Sequence, residues 1–449
     1  HIGCSILSFL SSTPFIPRRA LRWLLAPLAS LLVIVPSYAM AQELTVWQRI
    51  FNMELRLESE YETYFGEDLA QVTQPPEEIA ATLARLATET ATTPAVLWAT
   101  PRTDHLHVVL ITPNGEPIVR DLYDVPREVL DQTTAQFQRH IRRPSGNAYM
   151  PAARKQHDWI IGPFEEEFLK PAGIDTLLVC SSDGLRGIAL PALHDGKQFL
   201  VEKYNITLIP AFNLIDTNYE PIEPGSFLAM GASEFTDLSP LPAVPVELSN
   251  ISWQLRSAMS SEQSWQGRSL LNQSFTLENF SALLSRKSYD IVHLATHAEF
   301  KPGRPENSYI QLWDQQLTLE DVDNLDWQLP NLELLVLSAC ETAVGDSDAE
   351  LGFAGLALRA GVKSAVASLW DVSDVGTLAL MSEFYHQIPQ ATTKAEALRQ
   401  AQLNLLNAQT NAVDLSRVQK SLGTNSQALE NSLSHPFYWA GFSMISSPW

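Results

Sequence analysis

The sequence predicts an α/β fold in which a mostly parallel β-sheet is flanked by helices. The evidence is strongest in the C-terminal third of the chain. Apolar runs rich in Val, Ile, Leu and Ala recur at 289–297, 332–340 and 363–370, and helical segments follow the last two runs. Continuous apolar strands that alternate with helices are typical of parallel sheets covered on both faces. Ligands of such sheets bind beyond the carboxyl ends of the strands, so a functional site is expected there.

Composition limits the classes of function. The chain has 449 residues, more than one hydrophobic core usually holds, so two domains or one large composite domain are expected. Its formal net charge is −21. Because an acidic surface repels phosphate, neither nucleic acid nor anionic lipid is expected as a partner. Three cysteines are too few for a disulfide framework, although Cys180 and Cys340 would be able to pair in an oxidising compartment.

Residues 1–41 are typical of a signal peptide. Three arginines precede an apolar run at 24–35 that is too short to span a bilayer. The small residues Ala39 and Ala41 match the preference of signal peptidase, so cleavage is expected before Gln42. The protein is therefore expected to be exported to the periplasm or the extracellular space, with no stable membrane span after cleavage. The alternative is an uncleaved N-terminal segment that anchors the protein to a membrane.

The rest of the chain divides into three parts. Residues 42–90 contain two charged, amphipathic segments that predict an N-terminal helical extension. This extension is either a docking arm or a cap packed on the following domain. Strand-like and helical stretches over 91–230 predict a preceding α/β subdomain. Residues 231–449 hold the most regular strand–helix pattern and the candidate site.

A histidine and a cysteine end two of the apolar strands. His297 closes the run 289–297, and Cys340 closes the run 332–340. Each residue alone is more often a buried packing residue. On neighbouring parallel strands, however, the two side chains would share one rim, where an imidazole can generate a reactive thiolate. The pattern favours a catalytic dyad, with the backbone N–H groups of Ala298 and Cys340 as an oxyanion hole.

Other chemistries fit this pattern less well. His293 and His297 are four residues apart, but on a strand that spacing separates them by about 13 Å, too far for one metal ion. His293 is expected to be buried and hydrogen-bonded in the sheet, and neither a metal nor a cofactor is predicted. The sequence contains no G-x-S-x-G elbow for a serine nucleophile and no C-x-x-C pair for redox chemistry.

The candidate dyad belongs to a longer, ordered set of motifs. The stretches "IDTLLVCSSDGL", "IVHLATHAEF", "LVLSACETAVGD" and "HPFYWAGF" follow one another along the chain. Over residues 90–449 the sequence resembles the CHAT domain, a caspase-like domain. The resemblance implies a caspase-like fold and the clan of cysteine peptidases that includes caspases, separases and gingipains. It maps the histidine and the cysteine of that clan onto His297 and Cys340.

The segment "SLWDVSD" follows the third strand, in the region where the related peptidases place substrate-binding residues. Trp370, Asp371 and Asp374 are therefore candidates for the S1 pocket. A carboxylate in that pocket would pair with a basic P1 side chain of the substrate. Asp371 is the better candidate, because Asp374 or Ser373 suits the N-cap of the helix that starts near Val375.

These features predict an exported caspase-like cysteine endopeptidase that uses His297 and Cys340 and cleaves a protein or peptide substrate after basic residues. The alternative is a non-catalytic CHAT scaffold or signalling module that binds protein partners. The chain has no tetratricopeptide array, the module that often accompanies this domain. A tetratricopeptide-repeat protein or another protein partner would therefore be supplied by a separate chain.

Overall fold

Strands and helices alternate through most of the chain in a computed structural model of the protein. The structure describes residues 44–69, 74–257, 264–322, 332–342, 344–410 and 432–449. The predicted signal peptide and its cleavage site lie outside the described residues, so export stays a prediction.

Thirteen strands form one sheet within the described residues. They are β1 (Pro94–Pro101), β2 (Leu106–Ile111), β3 (Ile118–Leu122), β4 (Thr176–Ser181), β5 (Asn205–Ile209), β6 (Ser226–Gly231), β7 (Gln266–Leu271), β8 (Ile291–Phe300), β9 (Tyr309–Gln311), β10 (Gln316–Thr318), β11 (Leu334–Thr342), β12 (Ser364–Ser368) and β13 (Phe442–Ser446). Their order across the sheet is β10-β9-β8-β11-β12-β13-β5-β4-β1-β2-β3, and β6 pairs with β8 and with β7.

The sheet is mostly parallel, as the sequence predicted. In one half of the sheet, β8 is parallel to β6 and to β11, β6 is parallel to β7, and β11 is parallel to β12. In the other half, β4 is parallel to β1 and to β5, and β5 is parallel to β13. Antiparallel pairs occur in the meanders β1-β2-β3 and β8-β9-β10 and between β12 and β13. The predicted boundary between 91–230 and 231–449 falls inside β6, and one sheet runs through both parts. The division into separate domains stays a prediction.

Helices flank this sheet along the chain. They are α1 (Val46–Phe65), α2 (Glu77–Thr90), α3 (Arg127–Ile141), α4 (Met150–Ile160), α5 (Gly162–Phe164), α6 (Leu200–Lys203), α7 (Val244–Ser257), α8 (Leu277–Arg286), α9 (Ser347–Ala354), α10 (Leu356–Arg359), α11 (Asp374–Gln387) and α12 (Lys394–Leu406). In the part of the chain that the structure describes, no helix is both long and apolar enough to cross a lipid bilayer.

The first helix packs on the body of the protein. One face of α1 buries Ile50, Met53 and Leu57 in the hydrophobic core. On the same helix, the buried Glu54 carboxylate accepts the indole N–H of Trp98, which lies on β1, at 2.5 Å. Burial of an apolar helix face stabilises the fold by roughly 25 cal/mol for each Å² removed from water. Of the two alternatives for the helical extension, α1 thus fits a cap packed on the following domain, and the extension over 42–90 as a separate unit stays a prediction.

The sheet forks along β8. From Ile291 to Ala295, β8 pairs with β6, whereas from Ala298 onward it pairs with β9. Gly231, the last residue of β6, lies against β8, and a Cβ atom there would come within 2.6 Å of the Ala295 carbonyl oxygen. Glycine is required at this close backbone approach. The fork opens immediately before His297 and so determines the surroundings of the candidate histidine.

The buried Glu54 generates a pH dependence of stability. Burial raises the pKa of its carboxyl group from 4.5 to about 7, the hydrogen bonds from Trp98 and Asn213 oppose the shift, and Glu58 adds to it. Because the folded pKa exceeds the unfolded one, this group stabilises the fold fully below about pH 4.5. That contribution is lost as the pH rises through about 7.

We therefore expect Glu54→Gln, which cannot ionise, to lose less stability than the wild type as the pH rises from about 5 to about 8. The difference in free energy of unfolding is at most about 3 kcal/mol for a shift of this size. Urea unfolding at the two pH values measures it, with the exposed Glu78→Gln as the matched control. Equal pH dependence in Glu54→Gln and the wild type would contradict the prediction.

Candidate active site

Strands β8 and β11 lie side by side and parallel, as the sequence predicted. Their ladder aligns His297 with Ala339 and Ala298 with Cys340. The candidate histidine and cysteine are therefore one register position apart on neighbouring strands. Both strands are buried at their amino-terminal ends, so the hydrophobic core holds this register in place.

Both strands continue past the candidate residues. The apolar runs predicted strand ends at His297 and Cys340, but β8 extends to Phe300 and β11 extends to Thr342. Along these extensions buried residues alternate with more exposed ones, which is typical of a half-buried strand. An alternation this short is not detectable in the sequence. As a result, the predicted oxyanion-hole residues Ala298 and Cys340 lie within the paired stretch.

The thiol and the imidazole project from opposite faces of the sheet. Residues aligned in a parallel ladder share a face and successive residues alternate, so Cys340 faces away from the side of His297. A register shift determines which face each side chain takes. Three residue steps on β8, from Leu294 to His297, lie opposite two steps on β11, from Leu337 to Ala339, and the extra residue of β8 inverts the side chains that follow it. The sequence predicted both side chains on one rim. This conformation does not bring them together, and the dyad stays a prediction.

The Cys340 thiol is held by backbone groups. The residue is 2% exposed, and its Sγ donates to the Leu337 carbonyl oxygen at 3.2 Å and accepts the Ser368 N–H at 3.0 Å. Burial raises the pKa of the thiol to about 12; the Ser368 N–H opposes this shift and the charge of Asp371 adds to it. At neutral pH the side chain is therefore a protonated thiol. Cys180 is also buried and free, so the two cysteines are not paired.

His297 lies beside the loop that follows β6. Its Nε2–H donates to the Ser239 carbonyl oxygen at 2.8 Å, and its ring packs edge-on against the Phe235 ring, with 4.8 Å between centroids. This hydrogen bond requires the tautomer with the proton on Nε2, so Nδ1 is the nitrogen that can accept a proton. Neither loop residue belongs to a recognisable motif, so the sequence did not point to them.

Asp371 interacts with both members of the candidate dyad. Neighbouring protein groups displace water from its carboxylate and raise its pKa, and the charge of His297 opposes that shift. The same carboxylate contributes to the raised pKa of the Cys340 thiol. Asp371 is nevertheless exposed at the surface of the protein, where a cationic group of another molecule can reach it.

The other two S1 candidates are engaged in internal contacts. The buried Trp370 donates its indole N–H to the Phe437 carbonyl oxygen at 3.0 Å and stacks on the Phe437 ring. The Asp374 carboxylate accepts the Ala243 N–H at 2.5 Å, and burial raises its pKa to about 6. Ser373, rather than Asp374, is the N-cap of α11. A substrate-binding role for Trp370 and Asp374 stays a prediction.

His293 is a buried, hydrogen-bonded residue of the sheet, as predicted. Its Nε2 lies 2.9 Å from Glu247 Oε1, and its Nδ1 lies 3.0 Å from the Tyr385 hydroxyl. All three side chains are buried. Both ring nitrogens are thus occupied by protein side chains, so His293 is not positioned to share a metal ion with His297. The contacts instead connect α7 and α11 to β8.

Known structures resemble this fold. The separase of the Saccharomyces cerevisiae separase–securin complex is similar with a TM-score of 0.52 and 9% sequence identity, over 89% of this chain and 34% of that chain. The chain thus spans about a third of that relative's length. The complex of Porphyromonas gingivalis RgpB pro- and mature domains is similar with a TM-score of 0.38 and 10% identity, over 72% of this chain and 77% of that chain.

The similarity to separase concerns the fold alone, and it confirms the predicted caspase-like α/β architecture. A search of curated protein sequences found no match. At the level of sequence, the model of the CHAT domain matches residues 150–447, well over half of the chain. The match contains every motif that carries the candidate site. This protein belongs to the CHAT domain family.

Proposed function

We propose that this protein is a caspase-like cysteine endopeptidase in which Cys340 is the nucleophile and His297 is the general base. The observation that carries the proposal is the parallel pairing of β8 with β11. It places the two residues one register position apart on neighbouring strands. Membership of the CHAT family and the fold shared with separase support a peptidase as the class of enzyme.

The described conformation is proposed to be latent. A thiol with a pKa of about 12 has to ionise near neutral pH before it can attack, which requires about 7 kcal/mol of differential stabilisation of the thiolate. An adjacent imidazolium and removal from the core are the means by which proteins lower a thiol pKa. Activation therefore requires Cys340 to leave its contacts with Leu337 and Ser368 and to face His297.

The extra residue of β8 between Leu294 and His297, opposite Ser338, supports such a movement. Shifting the end of β11 by one residue would turn Cys340 to the face of His297 without changing the buried ladder from Leu334 to Leu337. Within the described residues, the buried Ser338 hydroxyl at the bulge has no hydrogen-bond partner. A buried polar group without a hydrogen-bond partner destabilises a fold by about 1–3 kcal/mol, so the latent register is locally destabilised at Ser338.

Once the two groups meet, the chemistry follows that of a thiol peptidase. The Cys340 thiolate attacks the scissile carbonyl carbon, and its N–H and that of Ala298 are proposed to stabilise the oxyanion. His297 protonates the leaving amine as the C–N bond breaks, which leaves a thioester on Cys340. The neutral imidazole then takes a proton from water, the hydroxide attacks the thioester, and the acid product and free thiol are released.

Asp371 is proposed to select a basic P1 residue. It is the exposed carboxylate among the three candidates, whereas Trp370 and Asp374 are occupied by Phe437 and Ala243. A carboxylate pairs well with Arg, which donates two parallel hydrogen bonds. Export of the protein through cleavage before residue 42 is part of the same proposal, and a protein or peptide is the proposed substrate.

The second candidate function is a non-catalytic scaffold that binds protein partners. One observation favours it: Cys340 is a buried, protonated thiol that faces away from His297. A protein that never acts as a peptidase has no need to expose this thiol. Whether the Cys340 thiol becomes reactive when a peptide binds therefore distinguishes the two functions.

We expect Cys340→Ala and His297→Ala each to lower cysteine-dependent peptide cleavage by at least about 10²-fold. A peptide library varied at P1 and incubated with the full chain under reducing conditions measures it. Cys180→Ala, which removes the other buried free cysteine, is the matched control and keeps its activity. Cleavage that survives Cys340→Ala would refute the assignment of the nucleophile.

Thiol alkylation tests the latent conformation. We expect both cysteines to resist iodoacetamide at neutral pH, because both are buried and burial raises both thiol pKa values. A peptide that ends at its basic P1 residue, and so offers no bond to cleave, raises the labelling rate of Cys340 and leaves that of Cys180 unchanged. If no peptide in the library changes the labelling of Cys340, the scaffold function is the better account.

Asp371→Asn is expected to lower kcat/KM for substrates with Arg at P1 by about 10-fold to 100-fold, since one charge-assisted pair is worth about 1.5–3 kcal/mol. Substrates with a neutral P1 residue are little affected. Asp237→Asn, at an exposed position of the loop that covers His297, controls for the loss of one negative charge. A preference for acidic P1 residues in the wild type would rule out this role of Asp371.

A further inference from the structure

Two histidines and an aspartate meet on the hairpin formed by β2 and β3. In the described part of the chain, His105, His107 and Asp121 are the one group of three in which potential metal-ligating atoms all lie within 4.8 Å of one another. Five strands separate β2 from β11 in the order of the sheet. The cluster is therefore distinct from the candidate active site.

The strand geometry explains this convergence. His105 and His107 are two residues apart along the strand direction and so project from the same face. Asp121 of β3 is the register partner of His107. Side chains of cross-strand partners are neighbours in an antiparallel pair. The sequence predicted no metal site because Asp121 is 14 residues from His107, and only the hairpin register brings them together.

The distances between the three groups suit a small divalent cation. The Asp121 Oδ1 atom lies 2.5 Å from His107 Nδ1 and 3.4 Å from His105 Nε2. Ligand atoms around a tetrahedral zinc ion, with bonds of about 2.0–2.1 Å, stand about 3.4 Å from one another. A small rotation of the side chains opens the shorter distance. The side chains of the histidines are 14% and 17% exposed and that of Asp121 is 32% exposed, which leaves a path for an ion.

His105 also has the outer contact that is typical of a metal-bound imidazole. Its Nδ1 lies 2.8 Å from the Asp104 carboxylate, while its Nε2 is the atom near Asp121. A carboxylate on one ring nitrogen fixes the tautomer and presents the lone pair of the other nitrogen to a ligand. A fourth polar group thus orients the cluster from outside.

We propose that His105 Nε2, His107 Nδ1 and Asp121 Oδ1 bind a divalent transition-metal ion of the zinc class. Two imidazoles and one carboxylate favour Zn²⁺, Co²⁺ or Ni²⁺ over Ca²⁺ and Mg²⁺, which require mostly oxygen ligands. Three protein ligands leave a coordination position for water or for a group of another molecule. The ion cross-links the edge strand β3 to β2.

Metal binding to the full chain tests this site without reference to activity. After treatment with a chelator, the protein is titrated with Zn²⁺ in competition with a chromophoric chelator. We expect one saturable site, and we expect His107→Gln and Asp121→Asn to weaken it by at least about 100-fold. Asp104→Asn weakens it by about 10-fold to 100-fold through the outer contact. His140→Gln, on α3, is the matched control and leaves the affinity unchanged.

The visible spectrum of the Co²⁺ form provides a second readout. A site built from nitrogen and oxygen ligands shows d–d bands and no thiolate-to-cobalt charge transfer. Zn²⁺ also raises the melting temperature of the wild type but not that of Asp121→Asn, because the ion binds the folded state only. Unchanged affinity in both His107→Gln and Asp121→Asn, a thiolate charge-transfer band, or a lack of saturable binding in the wild type would overturn the proposal.

Discussion

The parallel ladder between β8 and β11 is the constraint on which the rest of the structure depends. Both strands are apolar and buried on both faces over their first halves, so a slip of one residue would move core side chains to the wrong side. The helices α7 and α11 are then fixed to β8 through the hydrogen bonds of His293 with Glu247 and Tyr385. This ladder determines the positions of the candidate residues His297 and Cys340.

Much of this architecture was predictable from the sequence, because continuous apolar runs and buried polar residues leave clear patterns. The neighbouring strands and the buried His293 are examples. The face of Cys340 was not predictable, since it depends on an extra residue of β8 between Leu294 and His297 that no feature of the composition marks. The hydrogen-bond partner of His297 was not predictable from the sequence either. The Ser239 carbonyl is a backbone group, and its position depends on a loop rather than on the identity of its side chain.

Carboxylates act on one another and on the thiol around the candidate site. Asp371 raises the pKa of the Cys340 thiol, and Asp371 and Glu247 both raise that of Asp374. The protein as a whole carries a net charge of −21. Burial and the charge of Asp371 disfavour a thiolate of Cys340 in the described arrangement, whereas negative charge in general favours the approach of a cationic group.

The fork in β8 has a consequence for how this fold tolerates change. Along the first half of β8, β6 and β7 extend the sheet, whereas along its second half β9 and β10 extend it as a separate branch. The strands β6 and β7 share β8 with the strands β9 and β10, but the two branches do not pair with each other. The turn between β9 and β10 nevertheless contacts the segment that follows β7, where the Trp313 N–H donates to the Phe275 carbonyl oxygen at 2.9 Å. An insertion in that turn would therefore disturb both parts of the sheet. The close approach of Gly231 to Ala295, in contrast, fixes β6 against β8, and a larger residue at position 231 would push these two strands apart.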